Sequence, residues 1–383
     1  MGQPLRADTT GPARPRGHGM GRRLLRRRWF WVALAAVLMA AAIAVVVYLR
    51  KRDAPEAARL LPEADAVAYV NLRLLRLARV FEQAPPVSQA PEYKEFVAAT
   101  GFQFDRDLDY LAIAVHAPGS QFNPAPTRGQ PGWFGEQARY SEIFIGRFDA
   151  QRVTAYFRKL ATNADRYRDA EVFNIPSDGR TVRVAIVGVD TVAVSNAQDP
   201  AVIRQMIDRY RAAARPRTGP SVVREYYDRV PLGSVAWVIG RIPPSPQTKL
   251  SLPAMEVAAG SLAGSVVVAS ARYLGGVHLR IDAFTPAESN ARNLLESAQS
   301  FLTIFRSLQA SVASGADPDV KAFFDSIKVE QEKERVRLTA TIPEGFIQKA
   351  MREPPPGLTS PEPTAPAGEK GPAPPAKRPR RKR

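Results

Sequence analysis

The chain has 383 residues, no cysteine, 34 prolines and a formal net charge of +17. Without cysteine there is no disulfide, thiolate metal site, lipidated cysteine or cysteine nucleophile, so any domain it forms is held by core packing alone. The charge suggests nucleic acid until it is located: the first 28 residues carry eight arginines against Asp8, Arg50, Lys51 and Arg52 add three cations, and residues 53–352 are left at about +3. No stretch of that body clusters Lys and Arg on one helix or groove, which excludes a specific nucleic-acid face.

The first predicted element is a membrane-spanning helix. Residues Trp29 to Leu49 are all uncharged, and at about 1.5 Å per residue they reach roughly 32 Å, enough to cross a hydrocarbon core of about 30 Å. Arg28 and Arg50 bracket the run, with Trp29 and Trp31 at one end and Tyr48 at the other, where aromatic belts sit at the headgroups. The arginine excess before the span places residues 1–28 in the cytoplasm and everything from about residue 53 outside it. Met39-Ala40-Ala41-Ala42 offers a signal peptidase small residues, but the apolar run continues to Leu49, beyond the length of a signal core, so an uncleaved anchor is expected.

The body then reads as two similar α+β lobes, residues 53–217 and 218–352. Val67-Ala68-Tyr69-Val70 with Arg73 matches Val235-Ala236-Trp237-Val238 with Arg241, a shared V-A-aromatic-V-x-x-R strand entry. A helical patch follows each, Tyr93 to Thr100 and Ala254 to Leu262, stopped by Gly101 and Gly264. Each lobe then gives a β-hairpin, Tyr110–Ala117 with Tyr140–Phe148 and Ser265–Ala271 with Gly276–Ala283. Asp149 is placed to cap the next helix of the first lobe, and Thr285-Pro286-Ala287-Glu288 is a capping box opening a helix from Pro286 to about Ala313 in the second. Strands at Thr181–Val187, Thr191–Asn196 and Arg335–Thr341 close the units, with helices after Asp199-Pro200 and from Pro343 to Met351. The expected fold class is therefore α+β: an N-terminal transmembrane helix followed by a duplicated pair of antiparallel-sheet lobes with helices packed on one face.

Catalytic signatures are weak. The three histidines, His18, His116 and His278, are scattered, and the two in strands read as core or edge residues. No metalloprotease, nucleophile-elbow, phosphate-loop or dinucleotide motif occurs. Asp105-Arg106-Asp107-Leu108-Asp109 opens like a calcium loop but has Tyr110 where the loop needs glycine, so it reads as a turn. The Pro/Gly-rich loop from Pro118 to Gln137 carries Trp133 and Phe134, which fold back as a lid or reach a partner or membrane interface.

The stretches LLPEADAVAYVNL (60–72) and ATGFQFDRDLDYLAIAV (99–115) resemble those of bacterial single-pass membrane-anchored proteins of unknown function, in which a proline-aspartate strand entry and a T-G-F…D-x-D-L turn recur. The resemblance covers the first lobe and implies a bacterial envelope setting, without functional residues to carry over.

Residues 353–383 hold ten prolines and end in Lys377, Arg378, Arg380, Arg381, Lys382 and Arg383. This composition predicts a disordered tail, either solubilising or a tether to an anionic envelope polymer or lipid. The leading expectation is a non-enzymatic binding or scaffolding domain at the inner membrane, with the lipid bilayer as partner and no cofactor. Two alternatives stand beside it: an apolar-ligand (lipid) carrier whose sheet and long helix enclose a cavity, and a hydrolase with dispersed residues.

Overall fold

The computed structural model describes residues 53–78, 91–117, 139–177, 179–212, 218–243, 260–312 and 318–347, with only the backbone for 304–312. The chain divides into two compact units, Met1–Asp53 and Ala54–Arg383, and every element below belongs to the second. The expected span 29–49, the Trp133–Phe134 loop and the basic tail lie outside the described residues. Among those described, no helix is long and apolar enough to cross a membrane.

In chain order the strands are β1 (Ala66–Asn71), β2 (Leu108–His116), β3 (Arg139–Gly146), β4 (Asn163–Tyr167), β5 (Ala170–Ser177), β6 (Arg180–Ile186), β7 (Thr191–Ser195), β8 (Ala236–Arg241), β9 (Val266–Tyr273), β10 (Gly276–Phe284), β11 (Lys328–Glu332) and β12 (Arg335–Pro343). They form one 12-stranded antiparallel sheet ordered β11-β12-β10-β9-β8-β1-β2-β3-β7-β6-β5-β4. The helices are α1 (Glu56–Leu60), α2 (Leu72–Leu77), α3 (Pro91–Thr100), α4 (Phe104–Asp107), α5 (Ala150–Leu160), α6 (Ala201–Arg211), α7 (Ser221–Tyr226), α8 (Glu288–Val312) and α9 (Pro318–Ser326).

The sheet reads the same outward from its middle in both directions. On one side run β1, β2, β3, β7 and β6; on the other run β8, β9, β10, β12 and β11. In each half a helix follows the third strand and the chain returns so that the last strand lies beside that third one. The two motif strands β1 and β8 meet at the centre, where Tyr69 pairs directly with Trp237, the residue holding the same place in the shared motif. Their rings stack at 5.5 Å between centroids. A local two-fold passes through this pair: Val67 faces Ile239 across it, and symmetrically the Asn71 N–H donates to Val235 O at 2.7 Å.

Two corrections to the sequence reading follow. The antiparallel strands make one continuous sheet rather than a sheet per lobe, and helices in the first half lie on both faces. Alternation explains the second point, since successive strand residues serve opposite faces. Val172, Ala185 and Ala193 pack with Ile203, Met206 and Ile207 of α6, with Leu60 of α1 and with Val222 of α7. Their neighbours Phe173, Val184 and Val192 pack with Phe157 of α5 on the other side. Both alternating sets are apolar, so both faces must be covered; each fully buried Ile, Leu or Met contributes about 1.5–3 kcal/mol.

The second half is covered differently. On the α5 side, Ala291 and Leu294 of α8 pack on Ala283 and Val336. The opposite side is apolar beside the centre, where Ile239, Val266 and Val268 join the core beneath α6 and α7, and charged further out: Asp282 is 1% exposed and accepts from Arg280 Nε at 2.7 Å and Arg337 Nε at 2.8 Å. Asp149 caps α5 as its position predicts, accepting from the N–H groups of Gln151 and Arg152. The capping box at α8 does not form, because the helix starts at Glu288 rather than Pro286; the Thr285 hydroxyl lies 2.9 Å from the carbonyl oxygens of both Ala287 and Glu334, tying the helix start to the β11–β12 turn.

Candidate functional site

Helix α3 ends at Gly101, whose φ of +73° supplies the left-handed turn and whose N–H donates to Val97 O at 2.8 Å. Thr100 reinforces the stop, donating to Phe96 O at 2.7 Å and accepting from the Phe102 N–H at 3.2 Å. The chain then turns Phe102 inward between α3 and the sheet and leaves Phe104 half-exposed beside it. Asp107 fixes this turn, accepting from the Gln103 N–H at 3.0 Å and from Arg106 Nε at 2.9 Å. The hydrogen bond from Arg106 outweighs burial and holds the Asp107 carboxyl below the usual carboxylate range. Close approach makes a glycine necessary on β3, since a Cβ at Gly146 would stand 2.5 Å from Asp107 O.

An aromatic cage results. Phe104 stacks on Tyr93 at 5.5 Å and on Phe96 at 5.8 Å, and it meets Phe102 edge-on at 5.4 Å. Phe102 reaches Phe148 at 6.1 Å, and Phe157 of α5 meets Phe173 of the sheet at 6.3 Å. Between these rings and the sheet lies a cavity of about 470 Å³, lined by Phe96, Phe102, Phe104, Phe144, Phe148 and Phe157, by Val153, Ile175, Val182, Val184, Val192 and Val194, and by Glu92, Tyr93, Glu142 and Ser177. Exposed Glu92 and Ser177 mark its rim. The volume falls within the range of about 300–1,000 Å³ typical of small-molecule sites.

Glu142 is the unusual wall residue. The transverse row it belongs to runs Phe173, Val184, Val194, Glu142, Ile113, Ala68, Val238, Ala269, Ile281, Leu338, Val329, with every other member apolar. Among the described residues nothing donates a hydrogen bond to its carboxyl, and burial raises its pKa, favouring the neutral form. The matching strand order of the two halves supplies an internal comparison. Ala68 leads through Ile113 to Glu142, and its motif counterpart Ala236 leads through Ala271 to Leu279.

The sequence-predicted site residues are not brought together by the described structure. Trp29, Trp31, Tyr48, Arg28 and Arg50, the pair Trp133 and Phe134, and Lys377, Arg378, Arg380 and Arg381 all lie outside it. His116 is fully buried on the sheet face opposite the cavity, its Nε2 2.9 Å from Ser141 Oγ, which lies 3.0 Å from Ser195 Oγ. Burial pushes its pKa down to about 4, against a smaller opposing effect of the Glu63 backbone. His278 stands on β10, separated from β2 by three strands, with Nδ1 3.2 Å from Thr341 Oγ1. The acids of the 105–109 turn are engaged elsewhere, Asp107 with Arg106 and Asp109 with Arg76. Among the described residues no group of three His, Asp or Glu side chains could hold a metal ion.

The sequence alternative set an apolar cavity beneath the long helix from Pro286, whereas this one is walled by α3, the 101–109 turn, β3, α5 and the outer strands. One signal was present in Tyr140-Ser141-Glu142-Ile143-Phe144, where alternation places an acid between two aromatics on one face.

No protein-family model and no curated protein matches the chain. Among solved structures it is similar to crystal form III of TP0453, at 10% identity and a TM-score of 0.39 over 77% of this chain and 97% of that one. Crystal form I of the same protein gives 10% identity and a TM-score of 0.38 over 77% and 96%. At that distance the functional reading rests on the site's own chemistry.

Proposed function

We propose that this chain is a single-pass, membrane-tethered binding protein of the bacterial envelope, with an extracytoplasmic α+β body, built from a duplicated unit, that holds an apolar small molecule in the aromatic cavity of its first half. The observation that carries this is the cavity of about 470 Å³ with its six phenylalanines. Such a surface left to water is unfavourable by about 25 cal/mol per Å² of apolar area, which a bound chain or ring system recovers. The Trp29–Leu49 anchor adds a supply, since the bilayer is the nearest reservoir of apolar molecules. The basic tail serves as a secondary contact with anionic lipid or polymer.

The reading is non-enzymatic. The cavity wall is apolar apart from Glu92, Tyr93, Glu142 and Ser177, and the buried His116 lies on the opposite side of the sheet.

A long-chain alkyl diazirine, photoactivated in membranes containing the full chain, tests the binding reading. Labelling is expected on peptides spanning Phe96–Phe104 and Phe144–Phe157 and is expected to fall when Val194→Trp fills the cavity. Equal labelling of these peptides and those of α8, unchanged in the variant, would count against it. The topology has its own test, a carboxyl-terminal reporter that is active only outside the cytoplasm; activity inside would reverse it.

A further inference from the structure

We infer that Glu142 is a specificity residue, and that the cavity takes a long-chain amphiphile whose uncharged hydroxyl-class group is buried against this carboxyl. This rests on the binding reading above and adds the chemical class of the ligand.

The fold does not require an acid at this position. Leu279 stands at the matching place in the second half, in the same strand order and on the same face, so a leucine satisfies the frame. Glu142 instead interrupts an otherwise apolar row between Ile113 and Val194. Glu142 is half-buried in the cavity wall and has no hydrogen-bond partner among the described residues, so its carboxyl meets whatever occupies the cavity.

The chemistry of that contact follows from the surroundings. Among the described residues no cation lines the cavity, and its other ionisable wall residues are Glu92 and Tyr93. Burial favours the neutral form of Glu142, which presents one O–H donor and acceptor lone pairs. A hydroxyl matches both at once. A carboxylate or phosphate on the ligand would face Glu92 and Glu142 with no compensating charge, and a plain hydrocarbon would leave the carboxyl unpaired.

The test uses the full chain in membranes and three diazirine probes of equal chain length, ending in a hydroxyl, a methyl or an ammonium group. The hydroxyl probe is expected to label the cavity peptides about tenfold more than the methyl probe, the value of one well-made buried hydrogen bond. In Glu142→Leu, the residue the second half already carries, that ratio is expected to fall to about one while methyl-probe labelling persists. That persistence reports an intact cavity. Glu142→Gln, whose amide both donates and accepts, is expected to keep most of the preference. A ratio unchanged in Glu142→Leu, or a preference for the ammonium probe, would overturn the role given to Glu142. Absence of cavity labelling by every probe would overturn the binding reading itself.

Discussion

The two halves of the sheet share a strand order and a central pair, and they differ in what lies on each face. Along the row through Tyr69 and Trp237, the first half continues with Ala112, Ile143, Ala193 and Ala185 beneath α1 and α6. The second half continues with Ser270, Arg280, Thr339 and Lys328. The same backbone frame thus carries an apolar layer across the first half, which continues through Ile239, Val266 and Val268 and gives way to polar and charged residues on β10, β12 and β11. The difference teaches that hydrogen-bonded register fixes the architecture, while side chains at matched positions set what each half can bind. The cavity belongs to the half with helices on both faces, where α3 and α5 hold aromatic rings off the sheet.

The largest test of that comparison is at its centre. Trp237 is 2% exposed and stacks on Tyr69. Trp237→Ala should cost about 3–5 kcal/mol and weaken both halves together, read as one denaturant transition at a lower midpoint. Two separated transitions with only one shifted would show the halves to be independent.

Confined to the first half, Phe102→Ala removes a ring that is 6% exposed and in contact with Phe104 and Phe148. It should cost about 3 kcal/mol and abolish cavity labelling while leaving amide exchange in α8 unchanged. Protection lost equally in α8 would contradict a local role. In the second half, Asp282→Asn leaves Arg280 and Arg337 without the carboxylate they share, and should cost about 2 kcal/mol with no change in cavity labelling.

The smallest effects differ in sign. The Glu142 pKa is raised by burial, so the folded state disfavours its ionisation. Wild type and Glu142→Gln should therefore be equally stable in acid, and the variant should gain on wild type as pH rises through the folded pKa. The Asp107 pKa is lowered, chiefly by Arg106, so its contribution is present above the unfolded value and lost as pH falls through the folded one. Asp107→Asn should be the weaker protein at neutral pH and converge with wild type in acid. Melting temperatures across a pH series read both, and parallel curves would remove both assignments.

Legibility in the sequence followed the range of each interaction. The strand entries at Val67 and Val235 and the cap at Asp149 are local patterns, and the structure bears them out. Strands β4 and β11, NADRY and KVEQE, went unseen because they are edge strands with little apolar alternation, the composition that discourages further pairing. Coverage on both faces was hidden for another reason: the alternating sets Val172/Phe173 and Ala185/Val184 are all apolar, so no polar face marks a side open to water. The cavity was least legible, since its aromatics come together only through tertiary packing.

The central claim is that the aromatic cavity of the first half is a ligand site. Native mass spectrometry of the full chain, extracted without detergent into polymer-bounded membrane discs and then released in the gas phase, tests it most directly. A discrete added mass of one small amphiphile is expected on the wild-type chain and is expected to be missing from Val194→Trp. An added mass of the same size and occupancy on both proteins, or none on either, would contradict it.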